Sequence, residues 1–228
     1  MKKNTFVIGD IHGCYHTMRK LIAKLPKDAE LVFVGDLCDS GLYTKEVIEY
    51  IIDNNHKCVL GNHDKHMNRH LKDALKGEEF KWNTTELYAG NTTVESYKNC
   101  DEDLINKHLE WIDHLPPYIQ IGEYFITHGF GLPYYQRRDI KKYQFPLRAN
   151  RLSSMEYQKG WEEGYEDYDV INIFGHDSFD KVARGKNYYG IDTGCKYGKK
   201  LTAIELGSMK TIDVDVEPID LKTEGKIP

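Results

Sequence analysis

The order of apolar and helical patterns predicts an α/β protein with a buried, largely parallel sheet in its first third. Three observations carry this reading. Short apolar runs alternate with helically spaced segments in the order β-α-β-α-β. Each of the first three runs stops at a glycine followed by a polar residue. Hydrophobic residues make up 40% of the 228, enough for one sizeable core.

Taken in order, Thr5-Phe6-Val7-Ile8 reads as a strand ending at Gly9-Asp10. Tyr15 to Leu25 places Met18, Leu21, Ile22 and Leu25 on one helical face, before Pro26. Leu31 to Val34 is the next strand. Thr44 to Asp53 is the next helix, with Val47, Ile48, Ile51 and Ile52 together. Lys57 to Leu60 is a third strand, ending at Gly61-Asn62. Residues 66–117 are more polar and read as a helical insertion, clearest from Leu104 to Leu115. Strands resume at Tyr118–Ile121, Tyr124–Thr127, Val170–Phe174, Tyr188–Ile191 and Leu201–Leu206, with Lys199-Lys200 read as a hairpin turn. The stretch 131–169 is the least regular and is expected to cover or border a site. Its tyrosines 134, 135 and 143 suit either a substrate groove or lid packing. One domain thus spans 1–215, and 216–228 reads as a loose tail.

Composition removes several function classes. A net charge of -5 gives no global attraction for nucleic acid, so a phosphorylated substrate needs local positive charge. No stretch approaches the roughly 20 apolar residues of a membrane span. Met1-Lys2-Lys3-Asn4 runs into the first strand without a signal-peptide pattern. Five cysteines with no CxxC spacing suggest reduced thiols and a cytoplasmic setting. The expected partner is a phosphorylated protein, a nucleotide or a small phosphoester, with no membrane and no specific nucleic-acid binding.

Polar residues recur where strands end: Gly9-Asp10-Ile11-His12-Gly13, Gly35-Asp36-Leu37-Cys38-Asp39-Ser40-Gly41, Gly61-Asn62-His63-Asp64, Thr127-His128-Gly129 and Phe174-Gly175-His176-Asp177. Parallel strands deliver their carboxyl ends to one edge, where α/β proteins bind ligands. Asp, His, Asp, Asn, His and His at that edge form a mixed oxygen and nitrogen donor set. It suits a pair of divalent transition metals better than calcium. Two metals about 3.5–4 Å apart, sharing one carboxylate, activate water and clamp an ester oxygen. The implied chemistry is in-line hydrolysis of a phosphoester. His66 and His70 continue the helical spacing from His63 and read as exposed side chains leaving the site.

These five blocks, GDIHG, GDLCDSG, GNHD, HG and GH, resemble the signature blocks of the calcineurin-like metallophosphoesterases, nearest the phosphoprotein phosphatases. Trp82 with Gly90 to Tyr97, and Gly190 to Cys195 with Leu201-Thr202-Ala203, are similar to stretches of small bacterial members. The resemblance implies a four-layer sandwich of two mixed sheets flanked by helices, with two metals, manganese first and iron or zinc next. It implies that Asp10 and His12 hold one metal, Asp36 bridges, and Asn62, His128 and His176 complete the second. It implies His63 as general acid with Asp39 as its partner, an assignment that elementary chemistry supports. Asp64 stands where relatives usually carry Glu and reads as a support.

Ser40 is the departure, because phosphoprotein phosphatases usually place there an arginine that forks onto phosphate oxygens. Arg148, near the position of the family's second phosphate-binding arginine, is the expected replacement, with Asn62 and Ser40 as further phosphate contacts and Arg151 one turn on. The leading expectation is a phosphomonoesterase resembling serine/threonine protein phosphatases. The alternative is a symmetrical bis(5'-nucleosyl)-tetraphosphate hydrolase. An inactive metal-binding interaction module is the third.

Overall fold

The computed structural model describes residues 4–157 and 161–221. Among these described residues, ten strands form two mixed sheets. The first contains β1 (Thr5–Ile8), β2 (Glu30–Phe33), β3 (Lys57–Cys58), β9 (Lys200–Glu205) and β10 (Thr211–Asp215), in the order β10-β9-β1-β2-β3. The second contains β4 (Tyr118–Ile121), β5 (Tyr124–Thr127), β6 (Ile171–Phe174), β7 (Ala183–Arg184) and β8 (Tyr188–Gly190), in the order β4-β5-β6-β8-β7. Strands β1, β2 and β3 are parallel, as are β5, β6 and β8. Antiparallel neighbours flank both triplets.

The two-residue period of a strand explains how the layers close. Val7 lies beside Val32 on one side and Ile204 on the other, and all three face the second sheet. There they meet Ile126, Ile173 and Ile191. The alternate residues Phe6, Ile8, Leu31 and Phe33 face the helices instead. Strands buried on both faces become continuous apolar runs, which is why the sequence shows runs rather than alternation. The first sheet's outer layer is α1 (Tyr15–Ile22), α2 (Thr44–Asp53) and α3 (Asn62–Leu75). Helices α4 (Lys81–Thr84), α5 (Asn91–Tyr97) and α6 (Glu102–Asp113) extend it, with Trp82, Tyr97, Ile105 and Ile112 joining the same core. The second sheet is covered by residues 130–157 and 161–168, mostly 3-10 turns plus α7 (Gln144–Ala149). Tyr134 is buried there with Phe125 and Leu147, and Tyr135 and Tyr143 pack beside them. These tyrosines are packing residues.

Two expectations fail. Lys200 is not in a hairpin turn: it opens β9 and pairs its ammonium with Asp213 on β10 at 2.5 Å. The reversal is made earlier, by the turn Cys195–Tyr197 and the left-handed Gly198. Nor is 216–221 loose. Asp220 is fully buried, accepts the amides of His16 (3.0 Å) and Thr17 (2.7 Å), and also the Thr17 hydroxyl (2.6 Å). Cys14, before α1, supplies no side-chain cap, so an aspartate some 200 residues away satisfies the helix's first-turn donors. The rest of the expected tail, 222–228, lies outside the described residues.

Asp220→Ala is expected to lower stability by about 1–3 kcal/mol, because buried donors lose their acceptor. Urea unfolding with an unchanged slope measures this. A loss below ~0.5 kcal/mol would show that the segment contributes little to holding α1.

Candidate metal centre

The parallel strands of both sheets end at one rim, and the polar loops meet there. Asp10 and His12 follow β1, Asp36 and Asp39 follow β2, and Asn62 and His63 open α3 after β3. From the second sheet, His128 follows β5 and His176 follows β6. Gly35 and Gly175 make this convergence possible. Gly35 has φ +90, and a side chain on it would strike the Gly61 backbone. A Cβ on Gly175 would strike the Asp10 carboxylate.

Asp36 is the centre of the arrangement. Ligand atoms of His12, Asp36 and His63 lie within 4.8 Å of one another, and so do those of Asp36, His128 and His176. Its carboxylate is therefore common to two groups. His128 Nε2 lies 3.2 Å from Asp36 Oδ1 and 3.1 Å from Asn62 Oδ1. The Asp36 loop is pinned by Asp64, whose carboxylate accepts the amides of Asp36 (2.9 Å), Leu37 (2.8 Å) and Gly61 (3.0 Å). The expected support at Asp64 is thus a clamp between two strand-end loops.

Backbone carbonyls orient the imidazoles. His12 Nδ1 donates to Cys38 O (2.9 Å) and His128 Nδ1 donates to Val34 O (2.7 Å). A carbonyl only accepts, so both rings present Nε2 to Asp36, the usual preparation of a histidine ligand. Asp10 Oδ2 accepts the His176 amide (2.9 Å), while Asp10 Oδ1 is buried without a hydrogen-bond partner. An orphaned carboxylate oxygen beside this donor set fits a cation.

The charges point the same way. Burial and Asp192 push the Asp10 carboxyl well above its ordinary range. Burial pushes Asp36 upward too, but His128 and His63 outweigh it and hold it well below. Burial depresses His128, yet Asp36 lifts it to about 9. Burial and His128 drive His176 down to about 2. The raised groups, Asp10 and His128, favour holding a proton, and a divalent metal would take its place, since it binds carboxylate and neutral imidazole.

His63 has another attachment. Its Nδ1 donates to Asp39 Oδ2 at 2.7 Å, and its Nε2 lies 4.0 Å from Asp36. Burial lowers His63, but Asp36 and the Asp39 hydrogen bond leave it raised overall. Asp39 is fully buried and also accepts Trp82 Nε1 (2.8 Å) and Thr93 Oγ1 (2.8 Å). Those two donors were invisible as such in the sequence, although an indole and a threonine in a polar helical stretch were the available signal. His66 and His70 are half-buried rather than exposed: they pack on Tyr88 and Phe80.

The two arginines separate. Arg151 donates to His176 O (2.8 Å) and lies 3.5 Å from Asp177. Arg148 is half-buried and close enough to Arg69 and Asp36 to feel their charges, and its guanidinium lies 6.0 Å from the Phe145 ring centroid. Ser40 is half-buried, with φ +67, beside Asp39. All five cysteines are free. Among the described residues, no helix is long and apolar enough to cross a membrane.

Residues 4–207 match the calcineurin-like phosphoesterase family. A relative from Anoxybacillus flavithermus, the asymmetrical bis(5'-nucleosyl)-tetraphosphatase PrpE, is 27% identical over 91% of this chain and 92% of its own. Its Bacillus subtilis namesake is 28% identical over 91% and 93%. A solved structure provisionally described as a diadenosine tetraphosphatase has a TM-score of 0.70 at 19% identity, covering 96% of both chains, a likeness of fold. With five strand-end blocks on one rim and a match across nearly the whole length, the chain belongs to the calcineurin-like phosphoesterase family and is a metal-dependent hydrolase.

Proposed function

We propose that this chain is a dinuclear-metal phosphoesterase that cleaves dinucleoside tetraphosphates asymmetrically. The observation carrying the chemistry is the Asp36 carboxylate shared by two ligand groups. The substrate follows the relatives, whose name is the asymmetrical form where the sequence suggested the symmetrical one. In this reading Asp10 and His12 hold one metal, Asp36 both, and Asn62, His128 and His176 the second. Manganese is the first candidate, and a reduced cytoplasmic setting suits the free thiols.

Two divalent metals, when bound, supply a nucleophilic water and neutralise phosphate charge. The chain's own residues do the rest. His63 donates its proton to the departing oxygen, and Asp39 keeps that imidazole charged and aimed. Trp82 and Thr93 hold Asp39 itself in place. Arg148 and Asn62 meet phosphate oxygens, and Ser40 offers a single neutral donor. The first turn of α3, which carries Asn62 and His63, adds the positive end of a helix.

A phosphomonoester is the second reading, and the retained His63–Asp39 pair favours it. An alkoxide or phenoxide needs a proton on leaving, whereas a nucleotide phosphate departs as an anion with far less help. An inactive module is disfavoured by a complete set of donors.

Four experiments test this. With manganese, diadenosine tetraphosphate is expected to give ATP and AMP by chromatography; two ADP molecules would refute the asymmetry, and no cleavage beside rapid phosphopeptide turnover would favour the monoesterase. Asp36→Asn is expected to lose both metal and activity. His63→Asn should retain metal but slow hydrolysis of phenyl phosphate by roughly 10²–10⁴, and an unslowed variant would remove His63 from the acid role. Asp39→Asn removes one of the charges that raise His63, so its proton is lost at lower pH. The alkaline limb of kcat should therefore move to lower pH, and an unmoved limb would break the assigned link.

A further inference from the structure

Lys196 belongs to the turn Cys195–Tyr197 between β8 and β9, whose Cys195 is buried in one core cluster with Cys14 of the loop after β1. The lysine is half-buried. Among the described residues it makes no hydrogen bond or ion pair, and its ammonium rests 5.1 Å from the Tyr197 ring centroid. Asp192 is near enough to feel its charge but does not pair with it, which leaves the ammonium a position for an anion. The lysine is also close to the centre, because Cys14 lies two residues after His12 and the groove that Lys196 lines reaches Ser40, next to Asp39.

Beside it runs a groove of about 950 Å³ lined by Ser40, Thr85, Leu87, Asn91, Lys196 and Tyr197, among others. This volume accommodates a ligand of nucleotide size. Its walls combine hydroxyl and amide groups with two unusually exposed apolar side chains, Leu87 at 76% and Tyr197 at 63%. Ser40 sits in this lining next to Asp39, whose carboxylate binds His63. The groove therefore borders the loop that carries Asp36 and Asp39. A long side chain at position 40 would crowd it, and serine leaves it open.

We propose that this groove binds the leaving nucleotide, with Lys196 pairing its phosphates and Tyr197 stacking on its base. This rests on the dinucleotide reading for the nature of the occupant. It also gives the serine at position 40 a role: the cation is supplied by the turn after β8, and the vacated space takes the nucleotide. Phosphate pairing by an ammonium and base stacking on an aromatic ring are separable contributions.

The test is calorimetric binding to the full chain in saturating manganese, using the β,γ-methylene analogue of ATP, tripolyphosphate and inorganic phosphate. The wild type should bind the analogue most tightly and inorganic phosphate least. Lys196→Met should weaken the analogue and tripolyphosphate roughly tenfold, and Lys196→Arg should restore both. Tyr197→Ala should weaken the analogue by about tenfold while sparing tripolyphosphate. An analogue bound no tighter than inorganic phosphate would overturn the proposal. So would a Lys196→Met effect equal for all three ligands, or a Tyr197→Ala effect equal for analogue and tripolyphosphate. The predicted binding pattern without cleavage of diadenosine tetraphosphate would leave the groove standing and remove that substrate. Cleavage with unaltered binding in Lys196→Met would do the reverse.

Discussion

Removing a carboxylate from water costs several kcal/mol unless its charge is met, and Asp36 is 2% exposed at the meeting point of two sheets. His128 approaches it at 3.2 Å, His12 at 3.7 Å and His63 at 4.0 Å, while the His63 amide donates to it at 2.9 Å. Around that one group the loops accept unfavourable conformations. Eight non-glycine residues among those described have positive φ, and five of them, His12, Asp36, Asp39, Ser40 and His176, belong to this site or border it. Left-handed backbone in such residues costs roughly 1–3 kcal/mol each. It persists because the Asp64 clamp, the carbonyl-anchored imidazoles and the packed strands beneath leave the loops no easier arrangement.

Much of this was legible because strand ends announce themselves. Thr5–Ile8, Tyr118–Ile121 and Tyr124–Thr127 have the bounds that their apolar runs suggested, and α2 spans Thr44–Asp53 as its spacing required. The glycine-polar pairs that end the runs are the residues found on the rim. What stayed hidden depends on long-range neighbours. Strand β10 alternates as Thr-Ile-Asp-Val-Asp at a sheet edge and carries little apolar signal. Strand β7 has only two residues. The cap that Asp220 places on α1, and the indole that Trp82 extends to Asp39, have no local pattern, since each joins segments far apart in sequence. The histidines at 66 and 70 misled for the same reason, their aromatic partners being set by how α4 and its flanking loops fold back over α3.

Electrostatically the protein works by placement rather than by total charge. The chain is net acidic, yet Arg148 and Lys196 both lie close enough to the centre for their charges to be felt there. Arg151, by contrast, is engaged with the His176 carbonyl and Asp177, and helps to orient a loop. In the proposed reading these two cations answer phosphate charge locally, while the net acidity of the chain gives no general affinity for polyanions.

The strand-end loops that build the centre come from both ends of the chain. The His128 ring bonds to Val34 across 94 residues, and the His176 amide bonds to Asp10 across 166. Neither sheet alone carries the full donor set, so a partly synthesised or half-folded chain lacks part of what a metal pair would need. Loop closures of that length come late on a folding route. Metal occupancy would then act as a quality mark, acquired only when both sheets have docked and tending to lock them together afterwards.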